Sequence, residues 1–292
     1  MFHYYFNRVA DVTFRQLLQY IAGRFLQLKV EKEFNDADRP CIFVLSTGRV
    51  GTKTLAALAG LSRHVIALHE PIPKLYALSS LYYRCNTGTF HDEVFAEAFL
   101  TARREIFRYA LSFGRGYVET SPQVTFLAPV IRIAVPNARF IHIVRDPKNF
   151  VRSGMRRGWY FNHPMDNTRL KPIHQSDDYR CWNQWETVEK IFWLWKETNV
   201  WINRFMQSVP TEKKLFLHSE NIFLNKEEDI NKFFDFLNVP KPPDKRIKKI
   251  LSKKLNAQKS GDFQEISDWP NELNTKFYRI VGESAKQFGY MD

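Results

Sequence analysis

Short apolar runs alternating with longer amphipathic stretches predict an α/β protein, a doubly wound and mostly parallel central sheet flanked by helices. The runs Cys41 to Leu45 and Phe140 to Val144 are continuous and only five residues long, as strands buried on both faces are. Stretches with helical spacing separate the runs, so successive strands need crossovers and lie parallel. A small-residue turn joins the first run directly to a helix, the kind of junction at which such sheets bind ligands.

Taken in order, residues 12–31 place Val12, Phe14, Leu17, Leu18, Ile21, Phe25, Leu26 and Leu28 at helical spacing with basic residues interleaved. This amphipathic helix docks on the domain's own core or meets a membrane surface or a second subunit. The polar stretch Glu31 to Pro40 is rich in turn formers. Residues 1–38 are therefore read as an N-terminal helix and linker, and 39–292 as one α/β domain. Strands are expected at Cys41 to Leu45, Val65 to Leu68, Tyr117 to Glu119, Phe140 to Val144 and Leu215 to His218. Helices are expected at Thr54 to Leu61, Glu93 to Leu111, Val188 to Met206 and Asp229 to Leu237. The segments Pro71 to Thr89 and Tyr160 to Tyr179 are read as loops that would select an acceptor. The lysine-dense stretch Lys241 to Lys259 is read as a solvated face.

The 292 residues carry 43 Lys and Arg against 31 Asp and Glu, a net charge of +12 that favours an anionic partner without choosing among nucleotide, nucleic acid, glycan and membrane. Cys41, Cys85 and Cys181 are odd in number and widely spaced, which suits a reduced compartment. No stretch approaches the roughly 18–20 apolar residues of a membrane span. Arg8, Arg15 and Arg24 lie where a signal peptide would be apolar, so a cytoplasmic protein is expected.

Ser46-Thr47-Gly48-Arg49-Val50-Gly51-Thr52-Lys53-Thr54 lies between the first strand and its helix. Free backbone N–H groups and the helix dipole attract an anion there, glycines let the backbone close around it, and Arg49 and Lys53 add charge. Thr47 through Thr54 are accordingly the candidate phosphate-binding residues. Only two residues separate Gly48 from Gly51, and Thr52 precedes Lys53, so this is not a Walker A loop. A second anion site is read at Arg145, which follows the strand Phe140 to Val144. Asp146 and Pro147 open a helix there, and that helix carries Ser153.

The two motifs together resemble the donor-binding signatures of the sulfotransferases that use 3′-phosphoadenosine 5′-phosphosulfate (PAPS). Gly48 to Thr52 resembles the loop that grips the 5′-phosphosulfate, and Arg145 to Ser153 the element that grips the 3′-phosphate. Lys254 to Asp262 is similar to a C-terminal loop that closes over the 3′-phosphate, which implies Lys259 and Gly261 as ligands. Trp193 and Asn199 extend the resemblance into a mid-chain helix, and Lys53 departs from the Ser or Thr of many relatives. The resemblance implies a P-loop-NTPase-like fold, transfer of a sulfuryl group to a hydroxyl of a glycan or small alcohol, and no metal. His69-Glu70-Pro71 resembles a Glu-Pro element of carbohydrate sulfotransferases, which makes Glu70 the preferred base, with His69 and Glu119 as alternatives. The absence of a His near Ser121 argues against the cytosolic phenol and steroid subgroup. Arg49, helped by Lys53, is placed to steady charge on the departing nucleotide.

Sulfuryl transfer needs in-line positioning and charge stabilisation rather than metal chemistry. The aromatic segments Trp159 to Phe161 and Trp182 to Trp201 are read as core or as a stacking surface, and Arg156 and Arg157 face an anionic acceptor or solvent. Competing readings are an ATP- and magnesium-dependent phosphotransferase and a non-catalytic basic module.

Overall fold

Every side chain of Cys41–Leu45 (β1) is buried, and strand alternation sends Cys41, Phe43 and Leu45 into one apolar cluster and Ile42 and Val44 into another on the opposite face. Full burial of such side chains contributes about 1.5–3 kcal/mol each, which makes β1 the anchor of the sheet. The computed structural model describes residues 39–85, 88–161, 163–174, 176–253 and 263–291. The amphipathic stretch 12–31 and its linker lie outside the described residues.

Four further strands pair around β1: Val65–Leu68 (β2), Gly116–Glu119 (β3), Arg139–Val144 (β4) and Lys214–His218 (β5). Their order is β2-β3-β1-β4-β5, and all four pairings are parallel. The chain leaves β1 toward β2 and β3 on one side, then crosses to β4 and β5 on the other. The carboxyl end of β1 is therefore the topological switch point, where this architecture opens a crevice.

Four crossovers join the strands and shape the crevice. Thr52–Ala59 (α1) follows β1, and Tyr76–Cys85 (α2) precedes Gly88–Ser112 (α3) on the way to β3. After β3 a 3-10 turn, Pro122–Leu127, leads into Ala128–Ala134 (α4). Pro147–Met155 (α5) follows β4, with Asp146 capping its first turn by accepting from the Asn149 amide at 2.7 Å, as the Asp-Pro pair predicts. Asp177–Cys181 (α6) and Thr187–Gln207 (α7) come next; α7 opens with a capping box of Glu186 and Glu189.

Ser219–Phe223 (α8), Glu227–Phe236 (α9), Asp244–Leu251 (α10) and Asn271–Gln287 (α11) complete the chain. One expectation is corrected here: much of the supposed loop Pro71 to Thr89 is helix α2. Part of the lysine-dense stretch is helix α10, whose lysines are exposed as a solvated face requires. Trp193 and Trp195 of α7 are buried in the cluster that packs α5, α7 and α11 together, so these aromatics are core rather than a stacking surface. Among the described residues no helix is long and apolar enough to cross a membrane.

Candidate active site

The turn after β1 is held from beneath. The Ser46 amide donates to Thr125 Oγ1 at 3.1 Å, Thr125 Oγ1 donates back to the Ser46 carbonyl at 3.0 Å, and the Gly48 amide donates to Ser46 Oγ at 3.1 Å. Gly48, Arg49 and Gly51 all have positive φ, at 76°, 60° and 88°. Gly51 caps α1 without a side chain, which leaves the first amides of the helix to an anion. The Val50 side chain is buried in the core on the α1 side of the sheet and its carbonyl accepts from Ser219 Oγ at 2.8 Å, so this residue offers a ligand only its amide.

The second motif docks directly on the first. Arg145 Nη1 donates to the Arg49 carbonyl at 2.8 Å, and Arg49 Nε donates to Ser153 Oγ at 3.1 Å. Trp195 Nε1 donates to the Arg145 carbonyl at 2.9 Å, which fixes the strand tip. Glu220 takes the Asp146 amide at 3.0 Å and the Tyr290 hydroxyl at 2.9 Å behind it. Burial, then the neighbouring guanidinium groups of Arg157 and Arg145, lowers the Arg49 pKa to about 10, so it still carries its proton at neutral pH. Arg145 is pulled down as well, mainly by burial.

In the same cleft, two residues past β2, Glu70 sits in the left-handed region with φ 49°. A non-glycine residue held there stores strain, and such residues cluster at ligand sites. Glu70 Oε1 accepts from the Tyr76 hydroxyl at 3.2 Å, and Lys74 Nζ lies 3.5 Å from Oε2. Burial and then the Glu70 charge raise the Tyr76 phenol to about 12, so it remains a donor to the carboxylate. His69 Nδ1 donates to the Thr120 carbonyl at 2.7 Å, and its Nε2 stands 3.8 Å from Glu70.

All of these groups line one cleft of about 850 Å³. The phosphate-loop residues Thr47, Gly48, Arg49, Gly51, Thr52, Lys53 and Thr54 lie along it with Arg145, Ser153, His69 and Glu70. Among the described residues its walls hold eight Lys and Arg side chains against two acids, Glu70 and Glu220. A cleft of this size and sign takes a polyanion with room for a second molecule.

The model of the sulfotransferase family matches residues 40–243, a span that holds the loop, Glu70 and Arg145. The chain belongs to the sulfotransferase family. Membership makes it a PAPS-dependent sulfotransferase. Similar solved structures include a sulfotransferase from Alicyclobacillus acidocaldarius, at 15% identity and a TM-score of 0.51, covering 87% of this chain and 97% of that one. Another is the sulfotransferase STF9 from Mycobacterium avium, at 11% identity and a TM-score of 0.51, covering 93% and 82%. These likenesses are of fold. A search of the curated proteins finds no match.

Not every residue singled out from the sequence reaches the cleft of this sulfotransferase. Glu119 is closed off: Arg103 clamps both its oxygens at 2.8 Å, Tyr117 donates to it at 2.8 Å, and both members of the ion pair are fully buried. It braces β3 against α3 and meets no solvent. Asn199 is buried and accepts from His142 Nε2 at 3.1 Å, and Trp193 donates to Asp178 at 2.8 Å, so both support the frame. Lys259 and Gly261 lie outside the described residues.

Conversely, Gln123, Tyr76, Ser79 and Glu220 line the cleft and were not foreseen. Gln123 and Glu220 follow β3 and β5 closely, so the rule that ligands gather beyond strand carboxyl ends contained the signal for them. Tyr76 and Ser79 carry no such mark.

Proposed function

We propose that this sulfotransferase binds PAPS with its 5′-phosphosulfate in the Gly48 to Thr54 turn and its 3′-phosphate at Arg145 and Ser153, and transfers the sulfuryl group to an acceptor hydroxyl on a glycan or small alcohol. The observation that carries the reading is the fusion of the two anion sites: Arg145 bonds the Arg49 backbone and Ser153 bonds the Arg49 side chain, within one cleft. Two phosphate grips joined through Arg49 in one cleft suit one nucleotide bearing phosphate on both sides of its ribose.

The donor supplies the sulfuryl group, which passes to the acceptor oxygen as the bond to the 5′-phosphate oxygen breaks. Glu70 takes the acceptor's proton, and the Tyr76 hydroxyl holds that carboxylate in place. Arg49, with Lys53 nearby on α1, offsets the negative charge that grows on the departing phosphate. The free amides at the start of α1 hold sulfonate and phosphate oxygens without the reorganisation that water would need.

The test is thermal unfolding with 3′-phosphoadenosine 5′-phosphate (PAP), the spent donor. At one hundred times its dissociation constant PAP stabilises the fold by about 2.7 kcal/mol, and ADP at equal concentration does so far less because it lacks the 3′-phosphate. Arg145→Ala removes most of that shift. An equal response to ADP and PAP, or an Arg145→Ala protein that binds PAP normally, refutes the reading.

A further inference from the structure

The acceptor end of the cleft is cationic in its own right. Arg157 follows α5 and lines the cleft, and its buried Nε meets no hydrogen-bond acceptor. Its charge acts on Arg49 and on His163, which places it between the phosphate loop and the segment that follows α5. Arg169 stands on the same side: its charge bears on the Tyr76 phenol, and its guanidinium lies 4.4 Å over the Trp159 ring while Asp166 holds its Nε at 2.8 Å. Tyr76 is the residue that orients Glu70. The two arginines therefore share the cleft with the carboxylate and with the tyrosine that orients it.

One polar group in the same wall also lacks a partner. Gln123 is fully buried, with Oε1 fixed by the Leu75 amide at 2.8 Å and its amide group bonded to the Tyr76 phenol. The Ser79 hydroxyl, also buried, has no hydrogen-bond partner. Buried donors left unmade are costly in a folded protein unless a ligand completes them. A guanidinium nitrogen with no acceptor calls for a planar or tetrahedral oxyanion, and the hydroxyl calls for a hydroxylated molecule.

We infer that the acceptor carries an oxyanion, a carboxylate or a sulfate ester, beside the hydroxyl that is sulfated, and that Arg157, with Arg169, selects it. The inference rests on the proposed sulfuryl transfer and names the class of its second substrate. Charge matching puts the anion at the arginines and leaves the reacting hydroxyl beside Glu70. Neutral alcohols leave the Arg157 charge unmatched.

Matched acceptor pairs test this. Methyl β-D-glucuronide is compared with its methyl ester, and methyl glucoside 6-sulfate with methyl glucoside. Sulfuryl transfer is followed with labelled PAPS, and binding of each acceptor to PAP-loaded protein by calorimetry. The anionic member of at least one pair is expected to bind and react at least tenfold better, and Arg157→Gln is expected to erase most of that preference while PAP still raises the melting temperature. The carboxylate and sulfate arms report which oxyanion is preferred. Equal handling of both members of each pair, no binding of either anion to PAP-loaded protein, or an Arg157→Gln protein slowed equally on anionic and neutral acceptors overturns the inference. In the last case Arg157 serves the transferring sulfonate instead. Failure of PAP to stabilise the wild-type protein counts against the donor reading, a separate result.

Discussion

Glu70 follows β2 and Glu119 ends β3, neighbouring parallel strands in register with Leu68 opposite Glu119, yet their surroundings give them opposite work. Glu70 is two residues beyond β2 and lines the cleft beside a phenol, a lysine and a histidine. Glu119 is fully buried and its charge is matched by Arg103. Glu70→Gln is expected to lower kcat by about 10²–10⁴ while PAP binding and urea stability hold, because a lost general base is a loss in the chemical step. Glu119→Gln leaves Arg103 as an unmatched buried cation and is expected to cost about 3–5 kcal/mol in urea unfolding, with the folded fraction still active. Comparable catalytic losses in two equally stable variants would contradict this division. The sequence favoured Glu70 through its Glu-Pro element and kept Glu119 as an alternative at the same sheet edge. What separates them is a guanidinium supplied from α3, a tertiary contact with no trace in the local pattern.

Strands announced themselves and polar-faced helices did not. All five strands fall within one residue of the expected runs, because each centres on a short apolar segment, continuous in the fully buried β1 and carrying a polar residue in β3, β4 and β5. Helix α2 went unseen because it buries Ser79 and Ser80 along with Tyr83, so its inward face lacks an apolar stripe. Those serines form the cleft wall. The phosphate loop was legible for the opposite reason, since its conformation demands glycine. Gly51 has φ 88°, and a Cβ there would meet the Phe223 ring at 2.5 Å. Gly51→Ala is expected to cost at least about 1–2 kcal/mol from the backbone alone and to reduce the PAP-induced shift, because the loop must move. Gly114 offers a control in the turn between α3 and β3, with φ 61° and no atom within 4 Å of the place a Cβ would occupy. Gly114→Ala should lose similar backbone stability in urea with PAP binding retained; equal effects of the two substitutions on PAP binding would rule out a special role for the loop geometry.

For the molecule as a whole, a buried histidine in the sheet adds acid sensitivity to the fold. His142 lies in β4, buried against Phe216 and Phe288, with Nε2 donating to Asn199 Oδ1. Burial, opposed by that hydrogen bond and reinforced by His218, lowers its pKa to about 4. The unfolded chain takes up the proton near pH 6.5, whereas the folded protein resists it until about pH 4. Above pH 6.5 both states are neutral at this site and nothing is lost. As pH falls from 6.5 to 4 the unfolded state binds more protons, so stability declines, by roughly 3 kcal/mol for a shift of this size. His218 is also lowered by burial and adds to the decline in the same direction. The check is a series of urea titrations between pH 8 and pH 4 on the wild type and on His142→Gln, whose side chain cannot titrate. The wild-type curve should fall through the window and the variant's should be shallower by that amount; parallel curves would mean that His142 accepts its proton inside the fold.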